Sequence, residues 1–254
     1  MMNKRVVSAI VGIVLLFLLL YIGGLPLRIG FIMLTLLCMM ELKGTLGSSF
    51  RFDDFLSAIF VVLSYFLPWD LAMALGFVYL VISLGLSLMM SPMDLQRTYI
   101  NSFSYFFVFF PFLLLYRLIA FSPIKYLYIL PLILAWGNDT VAYYVGTYFG
   151  KTHYTTISPK KTVEGALGGL IGGLIIIAVA KAIFIKDISF ITLIIYGVLG
   201  GIFAQAGDFF GSYIKRSAGV KDFGVLMPGH GGMLDRFISV MFATVLLYLM
   251  HNFF

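Results

Sequence analysis

The sequence predicts an all-α, polytopic integral membrane protein of about nine transmembrane helices with a cytoplasmic N-terminus. Three observations lead there. Of 254 residues, 61% are hydrophobic and 11% charged, whereas water-soluble domains are nearer half apolar and a quarter charged. Apolar runs recur along the whole chain, many near the roughly 20 residues that a bilayer-spanning helix needs. Lysine and arginine are distributed unevenly between successive connections. This composition excludes a soluble enzyme and a disordered tail. Nine spans leave about 70 residues for everything polar, too few for a separate soluble domain.

The apolar stretches lie at 6–25, 29–40, 55–69, 71–92, 99–121, 126–149, 165–186, 188–209 and 234–254. The first follows Lys4 and Arg5. It runs too long for a signal peptide and lacks a small-x-small cleavage site, so it reads as an uncleaved first helix. The second holds the single cysteine, Cys38, which excludes an internal disulfide. With the N-terminus inside, the cytoplasmic segments hold Lys4, Arg5, Lys43, Arg51, Arg97, Lys151, Lys160, Lys161, Lys215, Arg216, Lys221 and Arg236. The outer segments hold Arg28, Lys125, Lys181 and Lys186, and Arg117 falls within a span. Twelve of the 17 basic residues therefore lie inside against four outside, the bias that orients membrane proteins. Residues 1–125 read as about five helices with little chemistry, and 126–254 as a catalytic region. Its polar connections, 150–164 and 210–233, both face the cytoplasm in this topology. The net charge of +6 fits anionic lipid, nucleotide phosphates or the inward bias alone.

Glycines recur every four residues at Gly165, Gly169 and Gly173, at Gly168 and Gly172, at Gly197 and Gly201, and at Gly207 and Gly211. Small residues at this spacing let helix backbones approach closely in lipid, so they predict a tightly packed bundle.

Chemistry concentrates after residue 135. Asp139 interrupts an apolar span, where an ionisable group is costly and points to function; an interfacial carboxylate at a helix end is the other reading. Asp208, Ser212 and Lys215 share one face if their helix continues, a fitting lining for a metal–phosphate site; a helix end with Lys215 and Arg216 snorkelling to the headgroups fits as well. The run from Lys221 and Asp222 through Pro228, Gly229, His230, Gly231 and Gly232 to Asp235 and Arg236 is more specific. Its glycines let backbone N–H groups approach a ligand, and Asp235 and Arg236 begin the last helix, whose N-terminus favours anions. Ser158 followed by Pro159 reads as a helix start. Lys160 and Lys161 read either as phosphate ligands or as orientation determinants. There is no G-x-x-x-x-G-K-[ST] loop, no G-x-S-x-G elbow and no Cys/His zinc spacing, and no basic patch interleaved with aromatics of the kind that binds nucleic acid.

The run from Ser212 through Lys215, Arg216, Lys221, Asp222, Gly224, Pro228, His230, Gly231 and Gly232 to Asp235 and Arg236 resembles the signature of the phosphatidate cytidylyltransferases, the CDP-diacylglycerol synthases. The run from Ser158 to Gly165 and the pair Gly207-Asp208 are similar to that family's other motifs, in the same order. The resemblance covers the C-terminal half well and the first half only as apolar helices. It implies an integral membrane enzyme that joins CTP to phosphatidate, releasing pyrophosphate, at a cytoplasm-facing site in the inner (plasma) membrane. It also implies Mg²⁺, with room for a second cation, and a homodimer among membrane lipids. For such a reaction Asp208 and Asp235 are expected to hold the metal, with Asp222 and Asp139 as the further candidates. Catalytic roles fall to Lys215, Arg216, Lys221, His230 and Arg236, and substrate binding to Ser158, Lys160, Lys161, Glu164, Ser212, Gly231 and Gly232. One position departs from the pattern: the family's second acid, three residues after Asp235, is Ile238 here. A related CTP-dependent enzyme acting on another lipid phosphate or a polyprenol, and a non-catalytic lipid-binding or transport protein, are the alternatives.

Overall fold

The computed structural model describes residues 2–48, 52–89, 95–153, 155, 157–185, 187–227, 229 and 231–251. Among them, helix stands at every apolar stretch and no strand forms. The helices are α1 (Met2–Ile22), α2 (Gly24–Thr45), α3 (Phe52–Phe66), α4 (Trp69–Met89), α5 (Leu95–Ser104), α6 (Phe110–Phe121), α7 (Ile129–Phe149), α8 (Val163–Ile183), α9 (Phe190–Ser217) and α10 (Leu234–Met250). A π-helical turn, Tyr105–Phe109, joins α5 to α6 without a break. Among the described residues, five segments are long and apolar enough to cross a membrane: Gly24–Thr45, Trp69–Met89, Leu95–Phe121, Val163–Ile183 and Phe190–Ser217. Large apolar side chains on them face outward, among them Phe77, Leu167, Ile171, Ile175 and Ile191. A surface of this kind is stable only against lipid, so the chain is an all-helical membrane protein.

Contacts divide the chain into two units, Met1–Leu113 with Asp222–Asp235, and Leu114–Lys221 with Arg236–Phe254. The first unit holds α1 to α5 and the glycine-rich connection to α10. Its most polar feature is buried: Lys43 Nζ lies 2.7 Å from Asp54, and Arg97 lies 2.7 Å from Asp53 and 3.0 Å from Asp54. Asn101 also donates to Asp53. Two cations and two anions cancel, the condition under which charges are tolerated inside a fold. This cluster ties the C-terminal end of α2 to the starts of α3 and α5.

The second unit packs α7, α8 and α9 against one another around Leu127, Leu130, Leu134, Ile177, Tyr196 and Leu247. Here the four-residue glycine spacing does what the sequence predicts. A Cβ on Gly165 would stand 2.8 Å from the Ala142 carbonyl oxygen and 3.1 Å from Gly146 Cα, so α7 and α8 meet backbone to backbone. The glycines flanking Asp208 serve the same purpose on another helix: a Cβ on Gly207 or Gly211 would meet Phe242 or Ile238 of α10 at 2.8 and 2.7 Å.

Three boundaries differ from the sequence expectation. Helix α9 runs on to Ser217, so the connection expected from residue 210 begins at Ala218. Helix α8 begins at Val163, capped by Thr162 rather than by Ser158, because Thr162 Oγ1 is placed to accept from Gly165 N at 3.1 Å. Helix α2 extends to Thr45 and so includes Glu41 and Lys43, which the apolar stretch 29–40 leaves out. Each polar residue has its own partner, so the apolar count stops before the helix does.

Candidate active site

In the second unit, charged side chains from four places in the chain converge. Lys161, the last residue but one before α8, puts Nζ 2.5 Å from Asp208 Oδ2 of α9. Asp139 of α7 has Asp208, Lys161 and Arg236 of α10 as its charged neighbours. Ser239 Oγ donates to Asp139 Oδ2 at 3.5 Å. Trp136 Nε1 donates to the Arg236 carbonyl oxygen at 3.0 Å, and its ring meets Phe237 edge-on. Two acids and two bases expected from the sequence therefore stand together.

Two amides behind this cluster escaped the sequence reading. Asn138 is wholly buried. Its Nδ2 donates to the Gly201 carbonyl oxygen at 3.1 Å, and its Oδ1 accepts from Gln205 Nε2 at 3.0 Å. Gln205 Nε2 also lies 2.9 Å from the Ala166 carbonyl oxygen. One amide pair thus pins α7, α8 and α9 directly beside Asp139 and Asp208. The signal was present, since an amide inside an apolar helix seeks a partner on another helix, and each is a near neighbour of one of those acids in the sequence.

Asp208, Ser212 and Lys215 do share one face, because α9 continues unbroken past them. Arg216 turns back to donate to the Val220 carbonyl oxygen at 2.8 Å. Lys160 and Lys221 are exposed. Ser158 contributes its carbonyl oxygen to a turn closed by Lys161 N at 3.0 Å. Glu164 accepts from the N–H groups of Lys151 and Thr152 at 3.0 and 3.1 Å, closing the connection between α7 and α8. Ile238, where the family pattern has an acid, is 2% exposed and packs onto Gly211.

In the first unit, the connection before α10 is organised by two carboxylates. Asp235 Oδ2 accepts from Gly232 N at 3.0 Å and Phe223 N at 2.9 Å, so its carboxylate folds back onto the chain just before the helix. Glu41 of α2 accepts from Met233 N at 2.9 Å and Leu234 N at 2.8 Å. The anion that this helix N-terminus holds is thus Glu41, which no motif in the sequence pointed to. Gly231 adopts φ +84° beside Asp222, a conformation that glycine takes without strain. His230 and Pro228 lie outside the described residues.

Among the described residues, no group of three or more His, Cys, Asp or Glu side chains meets in metal-binding geometry. In the second unit Asp139 and Asp208 are neighbouring acids.

The cytidylyltransferase family model matches residues 3–254. Proteins named phosphatidate cytidylyltransferase are 40% identical over 158 residues in Aquifex aeolicus, 46% over 114 in Synechocystis and 39% over 117 in Bacillus subtilis. These alignments cover 61%, 44% and 46% of this chain and 59%, 39% and 44% of the relatives. The chain thus spans about half the length of the curated relatives it matches. With the matched region running from the first helix to the last residue, the chain belongs to the cytidylyltransferase family.

Proposed function

We propose that the protein transfers a cytidylyl group from CTP to phosphatidate, giving CDP-diacylglycerol and pyrophosphate. The observation that carries this reading is the Lys161–Asp208 pair near Asp139, a cation and two acids brought together on the helices of a membrane protein of this family. A non-bridging oxygen of the phosphatidate phosphate attacks the α-phosphorus of CTP. The bond from that phosphorus to the bridging oxygen breaks, and pyrophosphate leaves with its electron pair. The nucleophile is already an anion, so no strong base is required; positioning and charge neutralisation do the catalysis.

Lys161 serves as the first cation for an incoming phosphate. As it turns to the substrate it releases the Asp208 carboxylate. Lys160, Lys215, Arg216, Lys221 and Arg236 are assigned to phosphate groups, His230 to a phosphate oxygen, and Ser158, Ser212, Glu164, Gly231 and Gly232 to substrate contacts. The Asn138–Gln205 pair holds the two aspartates in place. Mg²⁺ takes hard oxygen donors and keeps several waters, so a pair of carboxylates is a fitting donor set. Asp139 and Asp208 would hold it, and Asp235 and Asp222 are the proposed donors of the glycine-rich connection, with a second cation allowed. Bound there, the ion would neutralise charge on the triphosphate.

The finer topology belongs to the same proposal: nine spans, N-terminus and site facing the cytoplasm, in the plasma membrane, as a homodimer. The twelve-to-four distribution of basic residues supports the orientation.

The test is conversion of labelled CTP into CDP-lipid by the purified protein with phosphatidate and Mg²⁺. Product from the wild type and none from Asp208→Asn is expected; wild-type rates in Asp208→Asn would overturn the assignment of that residue. Ile238 favours a second reading, in which the lipid phosphate is a different one. Product with a polyprenyl or archaeal-type lipid phosphate, and none with phosphatidate, would select it.

A further inference from the structure

We propose that Glu41 is a positioning residue: from α2 it clamps the turn that carries Asp235 and thereby sets where the first turn of α10 stands. Each of its two carboxylate oxygens takes one backbone N–H at the start of that helix, Oε1 from Met233 and Oε2 from Leu234. The bonds span 192 and 193 residues of sequence, so they are a tertiary contact and not a local cap.

The surrounding glycines are cut to this carboxylate. A Cβ on Gly224 would stand 2.5 Å from Glu41 Oε1, and one on Gly232 would stand 2.6 Å from Oε2. Any side chain at either position would displace Glu41. The glycine content of the connection, which the sequence suggests makes room for a ligand, here makes room for a half-buried anchor. Thr45 of the same helix adds a third tie, donating to the Phe223 carbonyl oxygen at 3.2 Å. With Asp235 holding Phe223 N and Gly232 N, two carboxylates account for four N–H groups of one short segment.

The consequence is a division of labour between two acids. Helix N-termini attract anions through their unpaired N–H groups, and an empty one here would compete for substrate phosphate or for Asp235. Glu41 fills it permanently, leaving Asp235 in one orientation. Residues that hold a working side chain from behind typically cost 10–100-fold when removed.

The functional half of this inference rests on the cytidylyl-transfer reading; the clamp itself does not. The test compares the full-length wild type with Glu41→Gln, which keeps one acceptor oxygen, and Glu41→Ala, which keeps none. Amide hydrogen exchange is read for the segment 231–236 and for α8, beside the thermal midpoint and the kcat and KM for CTP. The expected result is a graded loss, wild type above Gln above Ala. Exchange quickens in 231–236 alone, and kcat/KM falls by about 10–100-fold in the Ala variant, with α8 protection and the midpoint unchanged. Unchanged exchange in 231–236 overturns the clamp. A loss of protection spread evenly over α8 and the connection, with kcat intact in the folded protein, overturns positioning in favour of a general stability role. Should the wild type transfer no cytidylyl group, the function reading fails, and local exchange in 231–236 still supports or overturns the clamp.

Discussion

At Lys161 and Asp208 a single ion pair links a connection to a membrane helix, and both partners remain partly exposed. Pairs of this kind contribute little to stability, so removing one partner should be felt in catalysis instead. Lys161→Ala is expected to raise KM for the phosphate-bearing substrates about tenfold or more while the thermal midpoint stays within a few degrees. A drop in the midpoint with KM unchanged would mean that the pair is structural. Ile238 predicts the reverse balance. It is buried on Gly211 of α9, and a carboxylate there is taken out of water. Ile238→Asp is expected to destabilise by about 2–5 kcal/mol and Ile238→Val by about 1 kcal/mol, measured by thermal unfolding in detergent. An Asp variant as stable as wild type would show that the position reaches water or a cation.

Whole helices are held here by small features. Thr162 caps α8, and its side chain sits where a Cβ on Gly150 would have to go. Thr162→Ala is expected to lose about 1 kcal/mol and Thr162→Ser to keep most of it; equal stability of the Ala variant would show that the cap is dispensable. The glycine contact of α7 with α8 is tighter. Gly165→Val forces a branched side chain against the Ala142 carbonyl oxygen, and overpacking of this sort costs about 1–3 kcal/mol. The amide pair behind the site should show coupling: in a double-mutant cycle of Asn138→Leu and Gln205→Leu, an interaction of about 0.6–2 kcal/mol is expected. Strict additivity would mean that the two amides do not act together.

On the scale of the whole chain, the outward-facing apolar side chains place the protein in a bilayer. The proposed topology, nine spans with the N-terminus inside, puts the last residue outside. A fluorescent protein that folds only in the cytoplasm, fused after the last residue, should therefore stay dark, and one fused before α1 should shine. Fluorescence from both fusions would require an even number of spans.

Much was legible in the residues. Apolar runs mark where helices form because lipid leaves a backbone no hydrogen-bonding partner except itself. Glycine spacing marks the close helix contacts, an acid within an apolar run marks Asp139, and the polar connections draw attention to Asp208, Lys161 and Arg236 without saying which of their charges meet. Those signals are local, written in neighbours along the chain. What the folded chain added is the pairing of distant residues: Lys161 with Asp208, Asn138 with Gln205, and Glu41 with the start of α10. No periodicity encodes such pairs, because whether two side chains meet depends on how closely their helices pack. Glu41 shows the reason most clearly: one acid near the end of an apolar helix looks like an interfacial charge until a segment nearly 200 residues later supplies the two N–H groups that it holds.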